Sequence, residues 1–128
     1  MRAIISVALG GATGALMRYG VSLLTHRFWK EAFPLGTLII NLSGCFIIGL
    51  LGGMVERTST ISAELKLFLF MGILGAFTTF STFGLETAVL FQRGEAKVAL
   101  LNILLSNLLG IGLVFAGFAI SRYLVLAK

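Results

Sequence analysis

Four interruptions break an otherwise apolar sequence: a guanidinium at Arg18, a carboxamide at Asn41, a carboxylate at Glu86, and a run of hydroxyls and rings. That run, Gly72-Ile-Leu-Gly75-Ala-Phe77-Thr78-Thr79-Phe80-Ser81-Thr82-Phe83-Gly84, holds four hydroxyls, three glycines and three phenylalanines. These groups do not assemble an enzyme. The single histidine, His26, has no serine or cysteine set beside it, and no metal-ligand cluster, P-loop or G-x-G-x-x-G is present. They are suited instead to handling an ion. Carboxamides and hydroxyls donate hydrogen bonds. An aromatic ring has a negative face and a positive edge. Ring edges around a narrow dry path can therefore hold a small anion without a full positive charge, which would bind it too tightly to let it leave. Phe80 and Phe83 are three apart and share a helical face, an arrangement that on spacing alone favours core packing.

The elements that carry these groups are membrane helices. The chain has 128 residues, of which 58% are hydrophobic, and its mean hydropathy is +1.04. Only 12% are charged, too few to cover a soluble core of this size. The charges gather at segment ends. Ala32 to Val55 has none, nor has Val98 to Ser121, and Ala3 to Thr25 carries only Arg18. A spanning helix needs about 20 apolar residues. The pattern predicts an all-α integral membrane protein, one domain of four transmembrane helices at about 3–25, 34–55, 65–91 and 97–123. The third range places Glu86 inside the membrane. The first segment runs past Arg18 to Thr25, longer than the apolar core of a leader peptide, and is expected to stay as a helix. Pro34 is expected to open the second helix, and Gly94 to stop the third. Glu56 to Glu64 reads as a polar turn. Cys45, alone in an apolar stretch, reads as a packing residue. The net charge of +5 is spread over helix ends facing lipid headgroups and does not point to nucleic acid.

Polar or small residues form a stripe on each helix: Gly11, Ala15, Arg18 and Ser22; Thr37, Asn41, Cys45 and Gly49; Gly72, Gly75, Thr79, Thr82 and Glu86; Asn102, Ser106, Gly110 and Gly117. The stripes suit a bundle interior, but Arg18, Asn41 and Glu86 cannot be satisfied by their own helices. Arg18 can pair with Glu86 or set a positive potential in a vestibule. Paired threonines and glycines weaken a helix, so the third is expected to break near mid-membrane. A break there must be buried in protein or line a cavity, and it frees carbonyls that can hold a cation. Orientation is open. Arg2, Arg57, Lys66, Arg122 and Lys128 lie on one side, five in all, against the four of Arg27, Lys30, Arg93 and Lys97. So small a bias fits either weak orientation signals or insertion both ways with antiparallel pairing. Gly10 with Gly14, and Gly49 with Gly53, form G-x-x-x-G motifs that serve packing within one chain or between two.

Three segments carry a family resemblance: Gly10-Gly-Ala-Thr-Gly-Ala-Leu-Met-Arg18, Gly36-Thr-Leu-Ile-Ile-Asn41-Leu-Ser-Gly44, and Gly75-Ala-Phe-Thr-Thr-Phe80-Ser-Thr-Phe83. Together they resemble the Fluc (CrcB) fluoride channel family over essentially the whole chain. The resemblance implies an antiparallel, dual-topology homodimer with two pores in the bacterial inner membrane, exporting cytoplasmic fluoride passively. It implies that Phe80 and Phe83 present ring edges to the ion and that Asn41 donates hydrogen bonds to it. Ser81, Thr82, Thr37 and Glu86 then match a polar track, and Arg18 matches a basic vestibule residue. It further implies a structural sodium ion at the dimer centre, held by the backbone carbonyls of Gly75 and Thr78. A small dual-topology multidrug or cation exporter shares the size and helix count. Such exporters need a carboxylate in helix one, where this chain has Arg18. A structural subunit of a larger membrane complex would leave the third helix unexplained.

Overall fold

The computed structural model describes residues 1–57 and 61–126, with Val125 and Leu126 by backbone only. Part of the turn expected over Glu56–Glu64, and Lys128, lie outside the described residues. Within them all regular structure is helical. Four helices are long and apolar enough to cross a membrane: Arg2–Phe28, Leu35–Arg57, Ala63–Gln92 and Ala96–Leu124. Two spans are single helices, α1 (Arg2–Phe28) and α2 (Leu35–Arg57). The third is composite. It comprises α3 (Ala63–Lys66), a wide π-helical stretch (Leu67–Leu74), α4 (Gly75–Phe77) and α5 (Phe80–Gln92). The fourth joins α6 (Ala96–Leu104), a second π-helical stretch (Leu105–Leu109) and α7 (Gly110–Leu126).

Chain punctuation follows local chemistry. Pro34 sits one residue before α2, not inside it, and its carbonyl accepts the Leu38 N–H at 3.1 Å. The loop before it is closed by the Trp29 indole, which donates to the Phe33 carbonyl at 2.8 Å. Gly94 adopts φ 77° just beyond α5, a conformation that glycine reaches without a Cβ clash.

Lipid and water reward different interiors, and this one is rich in polar groups. Leu38, Ile40, Leu74, Phe77, Phe83, Leu90 and Ala99 are buried, but so are Thr37, Thr79, Thr87, Asn102 and Ser121. Large apolar side chains such as Ile4, Leu16, Met71, Leu108 and Phe115 instead lie exposed on the outside. Apolar side chains gain little by leaving lipid, so the spans must be held by close packing and hydrogen bonds. Glycines allow that approach. Gly10 and Gly14 of α1 face the first π-helical stretch, where a Cβ on Gly72 would lie 2.7 Å from the Gly10 Cα. Gly49 and Gly53 of α2 face Val114 and Ser121 of α7, and a Cβ on Gly117 would meet the Phe46 carbonyl oxygen at 2.5 Å. Both G-x-x-x-G motifs are therefore used inside one chain, leaving any contact with a second copy to other residues.

The third span breaks at Thr78 and Thr79, which are both extended, with φ −76°, ψ 156° and φ −150°, ψ 112°. One side chain holds the break. The Asn41 Oδ1 accepts the Thr79 backbone N–H at 2.8 Å, and the Asn41 Nδ2 donates to the Thr79 carbonyl at 3.1 Å. That N–H would otherwise have continued the helix onto the Gly75 carbonyl. Beyond the break, Thr79 starts α5 as its N-cap, its hydroxyl oxygen accepting the Thr82 N–H at 3.2 Å. Gly44 makes room for the Thr78 side chain, whose methyl would collide with any Cβ there.

Three stability outcomes follow, each readable as thermal unfolding in detergent. Gly14→Val drives a side chain into the Ile73 carbonyl and should cost about 1–3 kcal/mol or more, as overpacking does. Gly20→Ala, with open space around its Cβ position, should cost nothing measurable. Asn41→Leu keeps the branched shape but strands the Thr79 N–H and C=O. It should cost about 1–3 kcal/mol for each group left unpaired. Wild-type stability in Asn41→Leu would mean that the break does not rely on the amide.

Candidate functional site

Two cavities meet at the break, and a third continues outward from them. One, of about 270 Å³, is walled by Asn41, Gly44, Cys45 and Ile48 of α2, by Leu74, Thr78, Thr79, Phe80 and Phe83, and by Ser106 and Asn107. A second, of about 260 Å³, holds Ala15, Arg18, Tyr19 and Ser22 of α1 against Thr37, Ile40, Thr79 and Thr82. The third, of about 330 Å³, runs from Thr37, Thr82 and Glu86 out to His26, Trp29, Pro34 and Arg93. Thr79 borders the first two, and Ser22, Thr37 and Thr82 border the last two. From the largely apolar cavity at the break, the other two lead between α1, α2 and α5 to one end of the spans.

Hydroxyls along this series form two separate bonded groups. The Thr37 hydroxyl donates to Glu86 Oε1 at 2.8 Å. The Thr79 hydroxyl donates to the Thr82 oxygen at 2.9 Å and lies 3.3 Å from Ser81 Oγ. The second Glu86 oxygen, Oε2, is shielded from solvent and has no hydrogen-bond partner among the described residues. Arg18 and Glu86 form no ion pair with each other among the described residues: Arg18 borders the middle cavity and Glu86 the outer one. Of the two alternatives open from sequence, the Arg18–Glu86 pair is not formed among the described residues. Arg18 instead faces a cavity with no acid among its lining residues. Asn41 spends one amide N–H and its oxygen on Thr79, which leaves its second N–H available.

The two phenylalanines differ more than their shared spacing suggests. Their ring centroids are 5.5 Å apart, with planes tilted by 43°. Phe83 is only 8% exposed, whereas Phe80 is 81% exposed. Phe80 therefore touches the cavity from its rim and turns most of its surface away from the chain. Ser81 and Gly75 are also exposed, and Ser81 borders none of the three cavities.

Sequence reasoning missed two residues that the structure puts beside the site. Asn107 borders the cavity of Phe80 and Phe83, and its amide donates to the Ile103 carbonyl at 2.7 Å. Its only sequence signal is a carboxamide next to Ser106. Thr87 is buried behind Phe83, and its position one helical turn after Phe83 was the available signal.

Comparison with known proteins places this arrangement in a family. The family model described as CrcB-like protein, Camphor Resistance (CrcB), matches residues 5–118. A protein of Rhizobium etli named fluoride-specific ion channel FluC is 48% identical over 119 residues, covering 93% of this chain and 95% of the relative. Proteins of the same name from Allorhizobium ampelinum and Desulfotalea psychrophila are 44% and 48% identical, over 97% and 96% of this chain and 99% and 94% of theirs. With a family model spanning most of its length and relatives this similar end to end, the chain belongs to the CrcB-like family.

Proposed function

We propose that the chain is a fluoride-selective passive channel, working as an antiparallel homodimer in the bacterial inner membrane. The observation that carries this reading is the cavity beside the break, where an amide with a spare N–H, hydroxyls and two phenylalanine rings converge without a metal-ligand cluster among the described residues. The relatives' names, fluoride-specific ion channel, supply the ion. Phe80 and Phe83 turn ring edges toward fluoride, Asn41 donates to it, and Thr37, Ser81, Thr82 and Glu86 form the polar track. Arg18 sets a positive potential in the vestibule, favouring anion entry without contacting the ion at the narrow point.

A second copy explains features that one chain leaves open. Phe80 is a large ring with most of its surface uncovered beside a buried partner ring. Gly75, whose carbonyl the Thr79 N–H has abandoned for Asn41, is exposed on the same span. A two-fold axis near this point brings two such breaks together and completes each pore from both copies. The carbonyls of Gly75 and Thr78 fit a structural sodium ion there, since hard cations prefer oxygen donors. Bound sodium would offset the negative ends of two facing half-helices. A cation exporter is not favoured, because Arg18 stands where such an exporter needs a carboxylate.

Purified protein in liposomes should release fluoride down its gradient and retain chloride; equal leak of both ions, or of neither, contradicts the channel. Phe80→Ala and Phe83→Ala should each slow fluoride release by about tenfold or more, an effect of at least ~1.4 kcal/mol on the barrier, while the protein still dimerises. Normal conduction in both removes the ring-edge account. Tags at both termini should be reachable from either side of the membrane in a population of cells, and labelling from one side alone contradicts the antiparallel pair.

A further inference from the structure

A buried hydrogen-bond chain stands behind Phe83, outside the polar track. Ser106 Oγ donates to Asn102 Oδ1 at 3.4 Å, Asn102 Nδ2 donates to the Thr87 hydroxyl at 2.9 Å, and that hydroxyl donates to the Phe83 carbonyl at 2.7 Å. Asn102 is 1% exposed and Thr87 is 8% exposed. Asn102 borders none of the three cavities, so it does not touch an ion in them. We propose that Asn102 is a positioning residue for conduction: acting through Thr87, it fixes the α5 backbone at Phe83 and thereby the ring that walls the cavity. The inference rests on the channel reading above.

The physical case is one of polar satisfaction in a dry place. A threonine hydroxyl can bond back to the carbonyl four residues earlier without any help, and such bonds tend to bend a helix. Here the hydroxyl has a second duty. It accepts from Asn102, on a different span, so the local back-bond becomes a strut between α5 and α6. The buried apolar residues of these two helices, Leu90 and Ala99, gain little by leaving lipid. The strut is directional and sets the α5 backbone at Phe83 along a defined line. Its far end reaches Ser106, which borders the same cavity as Phe83. Losing Asn102 would release both walls at once: the Phe83 backbone on one side and the Ser106 hydroxyl on the other.

The test is fluoride efflux from liposomes for wild type, Asn102→Ala, Thr87→Val and the double variant, with chloride efflux and dimer content measured alongside. Thr87→Val is nearly isosteric and serves if Asn102→Ala does not fold. Each single substitution should slow fluoride release by about tenfold while dimers persist. The double should match the slower single within about twofold, because both remove one strut. In a Phe83→Ile background, Asn102→Ala should change the rate by less than about twofold, since the ring it positions is gone. A general folding role would instead slow every background equally. Unchanged rates in both single variants, additive losses, or a full tenfold loss in the Phe83→Ile background would each overturn the proposal. A wild-type protein that releases no fluoride overturns the channel reading itself, a result distinct from an active wild type with an indifferent Asn102.

Discussion

Two hydrogen bonds between the Asn41 side chain and the Thr79 backbone let this molecule keep an irregular segment inside a membrane. In hydrocarbon an unpaired N–H or C=O costs several kcal/mol, so a span must be a continuous helix or find substitute partners. Asn41 supplies both substitutes at once, in the geometry that a neighbouring strand would otherwise offer. Everything distinctive nearby depends on that pair. Thr79 is released to cap α5, the Gly75 carbonyl loses its helical N–H, and Phe80 begins a new helix in which its ring and that of Phe83 lie at one end of a cavity.

The packing around the pair serves the same end by different means. Two glycine contacts, α1 on the first π-helical stretch and α2 on α7, bring backbones together without side chains between them. Close approach replaces the missing hydrophobic drive and leaves the facing side of the bundle for polar groups. Burial of Asn102, Thr87 and Ser121 alongside Ile40 and Leu74 shows how far this interior departs from a water-soluble core.

Much of this was legible in the sequence. Charge-poor runs gave four spans, and the crowding of Thr78, Thr79, Gly75 and Gly84 gave the break, because those residues weaken helices regardless of context. Asn41 and Glu86 were singled out because no single helix can satisfy them. Other features depend on which faces meet. Gly10, Gly14, Gly49 and Gly53 carry the same motif whether they join one chain or two, and only the contacts with Ile73 and Ser121 assign them to one. The π-helical stretches at Leu67–Leu74 and Leu105–Leu109 have ordinary apolar sequences that give no local sign of a wider turn. The different exposures of Phe80 and Phe83 also escape a spacing argument, since three residues apart means one face only in an uninterrupted bundle.

On the proposed reading, ring edges, an amide and hydroxyls at the break select fluoride without a fixed charge at the narrow point. The most direct measurement is the zero-current voltage of the protein in a planar bilayer, with fluoride on one side and an equal concentration of chloride on the other. Fluoride selection predicts a voltage that follows the fluoride gradient as fluoride alone is diluted, and that ignores the same dilution of chloride. A voltage that stays near zero, or that follows chloride, would contradict the account.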